Sequence, residues 1–138
     1  MKELKEILFG VNIDSVYGDT NLSISGISFD SRQIKQNNIF IAIKGYDLDG
    51  HNYIDQSINN GATVVVCETL PKTINKYEIV FIKVKCSKTA LYTISSNLYS
   101  NPSSKIDLIG VTGTNGKTSI TSLLYKLFNN QGIKSGLI

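Results

Sequence analysis

The stretch GVTGTNGKTS, residues 110–119, constrains the fold of this chain more than any other part of the sequence. It follows an apolar segment that begins at Ile106 and precedes a helical pattern that runs from about Lys117 to Asn130. Glycines accept backbone angles that a Cβ forbids, so such a turn can point successive main-chain N–H groups at an anion. The helix that follows adds the positive end of its dipole. The pattern therefore predicts a strand, a phosphate-binding loop and a helix, which together form one unit of a parallel α/β sheet.

Two side chains at the end of the loop carry the expected chemistry. Lys117 would bring an ammonium group to the β- and γ-phosphates of a nucleotide, and the Thr118 hydroxyl would reach a magnesium ion. The general pattern G-x-x-x-x-G-K-[ST] requires glycine where this chain has Val111, and Gly110 lies one place too early. The alternative is a tight strand-to-helix turn with a chance lysine, but the flanking elements favour a nucleotide site. The core of the motif is Gly113, Thr114, Asn115, Gly116, Lys117 and Thr118.

The residues before the loop predict a separate small α/β domain. The Pro/Ser-rich break at 101–105 is the best linker, so we expect one domain at 1–104 and the start of a second at 105–138. The segment 134–138 resembles the beginning of another strand. One strand, loop and helix of about thirty residues cannot bury both faces of a parallel sheet, so the second domain is expected to be truncated. In the first domain the apolar spacing predicts a helix at 3–9, strands from Ile24, Asn38, Thr63 and Tyr77, a helix through Tyr53 and Ile58 closed by Asn60-Gly61, and a helix from Ser87 as N-cap.

Composition excludes several classes of function. The chain has 138 residues, 41% of them hydrophobic, and a net charge of +3 from scattered lysines rather than the dense basic stripe of a nucleic-acid-binding protein. Its two cysteines, Cys67 and Cys86, form neither a disulfide framework nor a zinc motif. The charged N-terminus is not typical of a signal peptide, and no segment approaches the roughly eighteen apolar residues of a membrane span. We therefore expect a cytoplasmic protein, a monomer, with no nucleic-acid or membrane partner.

Two loops of the first domain offer polar groups after apolar strands. Asp30-Ser31-Arg32 follows one strand, and Asp49-Gly50-His51 lies in the loop after the next. Ligand contacts are common at such places. The residues alone favour an ordinary Asx turn for the first segment and a turn leading into a helix for the second, with ligand binding as the alternative.

The glycine spacing and the Gly-Thr-Asn-Gly-Lys-Thr core of GVTGTNGKTS resemble the ATP loop of the Mur ligases, the enzymes that add amino acids to the peptidoglycan precursor. Folylpolyglutamate and cyanophycin synthetases share much of this loop. The resemblance extends from about Ile24 to the end of the sequence and favours the MurE type. It includes the DSR segment, the DGH segment, the Gly-Ala before a β-branched strand, and the stretch LYSNPSSKIDLIGVTGTNGKTS. The MurF type also has a DSR and a DGH-like segment, but its phosphate loop usually has Ser where this chain has Thr114-Asn115.

This resemblance implies a function for each domain. The first would hold the uridine-diphosphate end of UDP-N-acetylmuramoyl-L-alanyl-D-glutamate, and the second would hold ATP and Mg²⁺, with Lys117 as the catalytic residue and Thr118 on the metal. His51 would be structural rather than catalytic. The residues that correspond to the family's nucleotide-sugar contacts are Phe29, Ser31, Tyr46, Asp47 and Leu48.

The reaction implied for the full-length enzyme is ATP-dependent amide formation through an acyl phosphate. It would add meso-diaminopimelate or L-lysine, and nothing in the 138 residues discriminates between these two amino acids. The family's remaining catalytic groups would lie beyond Ile138, so the chain alone is expected to be inactive. The alternatives are a MurF-type or other Mur ligase, an unrelated P-loop kinase or GTPase, and a free-standing nucleotide-sugar-binding module.

Overall fold

The computed structural model describes residues 1–72, 74 and 78–138. The chain forms two compact units, Met1–Ser103 and Ser104–Ile138. This division falls beside the boundary predicted between residues 104 and 105. No helix of the described residues has both the length and the apolar character needed to cross a membrane. The described strands and α-helices are β1 Lys2–Glu3, α1 Leu4–Ile7, β2 Ile13–Tyr17, β3 Ser23–Ile24, β4 Gly26–Ser28, β5 Asn38–Ile41, α2 Ile54–Asn59, β6 Ala62–Cys67, β7 Val80–Val84, α3 Ser87–Leu98 and α4 Lys117–Asn130.

The first unit is built on a mixed five-stranded sheet of order β2-β7-β6-β5-β4. The strands β4, β5, β6 and β7 run parallel to one another, and β2 pairs antiparallel with β7 at the edge. A separate antiparallel pair joins β1 to β3. The α/β class predicted for the first domain is confirmed, and the parallel pairing of β4 with β5 brings the carboxyl ends of these two strands to the same side of the sheet.

Both faces of the sheet are covered, as the unbroken apolar runs of its central strands require. Alternate side chains of β5 point to opposite faces. Ile39 and Ile41 belong to the cluster that includes Leu4 of α1 and Ile94 of α3. Phe40 belongs to the opposite cluster, with residues from the α2 side of the sheet. The first unit therefore has three layers, with α1 and α3 on one face and α2 on the other.

Several predicted elements are confirmed. The helix predicted from Lys117 to Asn130 has those bounds, and the strands predicted from Asn38 and Thr63 form the sheet centre. Gly61 has a φ of 110°, as the predicted helix end requires. The strand predicted from Tyr77 begins at Val80 in the described residues, and Tyr77 itself lies outside them.

The strand predicted from Ile24 is wrong as a single element. The chain changes partners at Ser25, between β3, which pairs with β1, and β4, which pairs with β5. The Ser25 hydroxyl stabilises this change, because it donates to the Gln36 carbonyl at 2.8 Å and contacts Asn38 Oδ1 at 2.9 Å. The edge strand β2 was not predicted at all.

The strands predicted from Ile106 and at 134–138 are also wrong, since neither segment is a strand. A strand requires hydrogen bonds from a neighbouring strand, and no segment of Ser104–Ile138 forms a strand that could supply them.

Ser87 is the first residue of α3 rather than its N-cap, which is Cys86. The N–H of Ser87 instead donates to Glu68 Oε1 at 2.8 Å, so a carboxylate from the end of β6 caps the helix.

Candidate functional site

A cavity of about 600 Å³ opens in the first unit, where residues that follow β4 and β5 meet the start of α2. Ligands commonly bind outside the carboxyl ends of parallel strands, and this cavity has that position. Its lining combines apolar and aromatic side chains with a few polar groups, which is typical of small-molecule sites. The lining residues are Phe29, Asp30, Ser31, Arg32, Ile43, Gly45, Leu48, Gly50, Tyr53 and Gln56.

The Asp30-Ser31-Arg32 segment forms a compact turn at the cavity. Asp30 precedes a short 3-10 helix, Ser31–Gln33, and its Oδ1 accepts the N–H of Arg32 at 3.0 Å. The same carboxylate accepts two bonds from the Arg32 guanidinium, Nε to Oδ1 at 2.9 Å and Nη2 to Oδ2 at 2.8 Å. The Arg32 side chain, through its hydrogen bonds, holds the pKa of Asp30 below its ordinary value. Asp30 therefore shapes the turn and orients the guanidinium.

Asp49-Gly50-His51 repeats this geometry after β5. Asp49 precedes a second 3-10 helix, Gly50–Tyr53, with nearly the same backbone angles as Asp30, and its Oδ1 accepts the N–H of His51 at 3.0 Å. The His51 ring lies 2.6 Å from the same oxygen through Nδ1. The backbone N–H of His51, followed by its ring, lowers the pKa of Asp49. The two loops at the cavity thus contain the same aspartate-capped turn.

His51 joins the second turn to the end of β6. Its Nε2 accepts the N–H of Glu68 at 3.0 Å and lies 3.4 Å from the N of Thr69. Because Nε2 is an acceptor, Nδ1 carries the proton and donates it to Asp49. Both ring nitrogens are occupied by these bonds, and the ring is not among the groups that line the cavity. This arrangement is the structural role expected for His51.

Gly50 allows the second turn to approach the sheet. A Cβ at this position would lie 2.7 Å from the backbone N of Ile43 and 2.9 Å from its O. The glycine N–H also donates to that oxygen at 2.9 Å. Each residue of the DGH segment thus has a structural role. Asp49 caps the turn, Gly50 allows the close approach to the backbone of Ile43, and His51 links the turn to Glu68.

The predicted nucleotide-sugar residues occupy different positions relative to the cavity. Phe29 and Leu48 line it and are 63% and 66% exposed, which leaves their apolar surfaces open. Ser31 also lines it but is only 6% exposed, and its hydroxyl donates to Gln56 Oε1 at 2.8 Å. Tyr46 and Asp47 are exposed at the tip of the loop and are not among the lining residues.

The predicted substrate-binding residues did not include five of the side chains that line the cavity, Asp30, Arg32, Ile43, Tyr53 and Gln56. Arg32 belongs to the DSR segment, so the sequence motif could have identified it. The sequence pattern places Tyr53 and Gln56 only in a helical segment, and the packing of that segment beside the first turn brings them to the cavity. Asn60 strengthens this packing by donating to the carbonyl of Ser31 at 2.8 Å.

The phosphate-loop motif lies in the second unit and leads into α4. Gly113 has a φ of 152° and Gly116, the N-cap of α4, has a φ of 79°, so both glycines adopt backbone angles that disfavour a Cβ. The Lys117 ammonium folds back over the loop and donates to the carbonyl of Gly113, with the carbonyl of Thr114 at 3.5 Å. The lysine thus lies across its own loop, within reach of an anion bound there.

The first turn of α4 presents Thr118 beside this lysine. The side chain of Thr118 is exposed, while its carbonyl accepts the hydroxyl of Thr121 at 3.1 Å. A free hydroxyl oxygen is a donor type that Mg²⁺ accepts, although it could supply only one of several ligands. The residues of the loop therefore fit a nucleotide phosphate and one contact to its metal ion.

Comparison with known proteins agrees with these features. Residues 23–99 match the family described as "Mur ligase family, catalytic domain". The chain is 46% identical over 136 residues to a UDP-N-acetylmuramoyl-L-alanyl-D-glutamate–2,6-diaminopimelate ligase of Cytophaga hutchinsonii and 44% identical to the proteins of that name in Phocaeicola vulgatus and Clostridium tetani. The aligned regions cover 99% of this chain but only 28% of each relative.

Solved structures show the same fold. A crystal structure of MurF from Acinetobacter baumannii matches 93% of this chain and 27% of its own, with a TM-score of 0.69 and 23% identity. MurF from Thermotoga maritima in complex with ADP matches 76% of this chain and 23% of its own, with a TM-score of 0.54 and 27% identity.

Proposed function

Because the chain belongs to the Mur ligase family, we propose that the whole protein is an ATP-dependent, amide-forming ligase of bacterial peptidoglycan synthesis. Its proposed reaction adds meso-diaminopimelate to UDP-N-acetylmuramoyl-L-alanyl-D-glutamate in the cytoplasm. The observation that carries this proposal is the 46% identity, over 99% of the chain, to a ligase named for that reaction. The relatives' names also favour diaminopimelate over the L-lysine that the sequence left open.

The cavity of Met1–Ser103 is the proposed site for the uridine-diphosphate end of this substrate. Phe29, Leu48 and Tyr53 offer apolar surface to a flat base or sugar, and the Gln56 amide offers hydrogen-bonding groups. Ser31 is proposed to act through Gln56, since its hydroxyl already donates to that side chain.

The loop of the second unit is the proposed site for ATP. The backbone of residues 113–116 would surround the phosphates, and Lys117 would exchange its bonds to the loop carbonyls for bonds to phosphate oxygens. Thr118 would contribute a ligand to Mg²⁺, which supplies charge neutralisation for the phosphoryl group when bound. The contribution of these residues is positioning and electrostatic stabilisation.

The proposed chemistry has two steps. The D-glutamyl carboxylate attacks the γ-phosphorus of ATP, so an acyl phosphate forms and ADP leaves. The free amine of diaminopimelate then attacks the acyl carbon, and inorganic phosphate leaves as the amide forms. The phosphate loop holds the ATP of the first step, and the cavity of the first unit holds the remote end of the substrate, whose binding energy positions the carboxylate.

ADP release by the full-length protein tests the proposal. The protein is supplied with ATP, Mg²⁺ and UDP-N-acetylmuramoyl-L-alanyl-D-glutamate, and diaminopimelate or L-lysine is added in separate reactions. We expect release that requires both the nucleotide-sugar and diaminopimelate. A further reaction contains the nucleotide-sugar already extended by the third residue, and ADP release that depends on this substrate would identify a MurF-type ligase. Release that ignores the nucleotide-sugar would contradict the proposal and favour an unrelated P-loop enzyme.

A further inference from the structure

We propose that Arg32 binds the diphosphate of the uridine nucleotide through a two-pronged contact, and that Asp30 is the positioning residue that holds its guanidinium at the cavity. This inference rests on the proposed function for the identity of the ligand. It adds a residue for which the resemblance implied no role.

The hydrogen bonds of Arg32 leave donors for a ligand. Asp30 receives the Nε–H and one N–H of Nη2. A guanidinium has five N–H groups, so three remain, both on Nη1 and one on Nη2. Among the described residues these three have no hydrogen-bond partner. Donors on the two terminal nitrogens lie side by side, which is the geometry that suits two oxygens of one phosphate.

The charge of the cavity also points to Arg32. Of the described residues that line it, Arg32 alone carries a positive charge, and Asp30 is the one acidic group. A nucleoside diphosphate brings two or more negative charges to this site. Without Arg32 those charges would face apolar side chains, a carboxylate and neutral amides, which would disfavour binding.

The exposure of the pair argues against a purely structural role. The Arg32 side chain is 80% exposed, whereas the Asp30 side chain is 22% exposed. An ion pair with so much solvent contact contributes little to stability. Its geometric effect is larger, because the bidentate bond restricts a flexible side chain to one orientation at the cavity. Little further ordering of the arginine is then needed when the ligand binds.

Equilibrium binding of a truncation series tests the inference. The full-length protein, with its phosphate loop saturated by Mg–ADP, is titrated separately with uridine, UMP and UDP. The variants are Arg32→Met, Arg32→Lys and the matched control Lys35→Met, which removes the same charge from an exposed lysine that does not line the cavity. Circular dichroism establishes that each variant is folded.

We expect Arg32→Met to weaken UDP binding by about 10- to 100-fold, the range for loss of charged hydrogen bonds, and to leave uridine binding nearly unchanged. Arg32→Lys keeps the charge but loses the paired donors, so it should weaken UDP by a smaller factor. Lys35→Met should bind all three ligands like the unmodified protein.

Two results would overturn the inference while leaving the proposed function intact. One is UDP binding that is unchanged in either Arg32 variant. The other is an equal loss for uridine and UDP, which would make Arg32 part of the turn only. Failure of the unmodified protein to bind UDP would instead count against the proposed function itself.

Discussion

Replacing Gly50 by alanine should destabilise the first unit although the backbone angle at this residue permits a Cβ. The structure places the added Cβ 2.7 Å from the N of Ile43, 2.9 Å from its O and 3.2 Å from the Cα of Ala42. All three are backbone atoms of the two residues that follow β5, so no side-chain rotation can relieve the contact. The turn must therefore move away from the sheet.

The magnitude follows from two effects. Overpacking a tight site costs about 1–3 kcal/mol. The displacement also stretches the bond from the Gly50 N–H to the Ile43 carbonyl, now 2.9 Å, whose loss costs about 0.5–1.5 kcal/mol. We expect the free energy of unfolding to fall by about 2–4 kcal/mol. Because Gly50 lines the cavity, UDP binding should weaken as well.

Urea unfolding followed by far-ultraviolet circular dichroism measures the stability, with Gly10→Ala as the control. Gly10 has a φ of 75° and nothing within 4 Å of an added Cβ, so its substitution tests backbone strain without a clash. That control should cost about 1–2 kcal/mol and should not change UDP binding. If Gly50→Ala changed stability by less than about 0.5 kcal/mol, as a neutral surface substitution does, the steric reasoning would be refuted.

Three further predictions concern the loop, the cysteines and acid stability. Lys117→Ala should lower ligase turnover of the full-length protein by about a hundredfold or more, yet leave UDP binding unchanged. The control Lys126→Ala, in the same helix, should alter neither turnover nor UDP binding. Equal loss of turnover and UDP binding in Lys117→Ala would contradict the assignment of ATP and UDP to different units. Iodoacetamide should modify Cys86, which is exposed, long before Cys67, whose burial raises its pKa to about 11. Mass spectrometry of the digested protein measures the order of modification, and earlier modification of Cys67 would contradict this prediction. The pKa of Asp49 is held below its ordinary value of 3.8 by the histidine two positions later, so its carboxylate stabilises the fold at neutral pH and that contribution is lost as acid protonates it. Asp49→Asn should therefore show a shallower loss of stability below about pH 4 than the unmodified protein, and an unchanged slope would contradict the cause given for the shift.

The parts of the fold that were predicted from sequence are those with local signals. Residues 39–43 are a continuous apolar run between Asn38 and Lys44, and such a run is typical of a strand buried on both faces, here β5. The helix Lys117–Asn130 follows a glycine turn and has a helical apolar spacing. Both signals lie within the element itself, so a single sequence contains them.

The parts that were missed depend on distant partners. The residues of β2 are mostly exposed, and this strand is defined by its pairing with β7 more than sixty residues later in the chain. The change of partner at Ser25 depends on Gln36 and Asn38. The segment from Ile106 has the apolar character of a strand, but no strand within its own unit pairs with it.

The same distinction applies to the site. The DSR and DGH segments could be recognised by resemblance, which brought Phe29, Ser31 and Leu48 to attention. The resemblance could not predict that Ser31 would be buried against Gln56, because that contact joins residues 25 positions apart. For the DSR and DGH segments the residues alone leave a choice between an ordinary turn and a ligand-binding loop. In the structure both segments form aspartate-capped turns, and both contribute residues to the lining of the cavity.

Hydrogen exchange on the full-length protein tests the central claim most directly, because it reports where each substrate binds. The account predicts that UDP-N-acetylmuramoyl-L-alanyl-D-glutamate slows exchange at residues 29–32 and 43–56, and that Mg–ATP slows exchange at residues 110–118. Protection of the first two segments by the nucleotide-sugar, independent of ATP, would support the assignment of the cavity to the uridine nucleotide. Exchange at residues 29–32 and 43–56 that stays unchanged when the nucleotide-sugar is added would contradict this assignment.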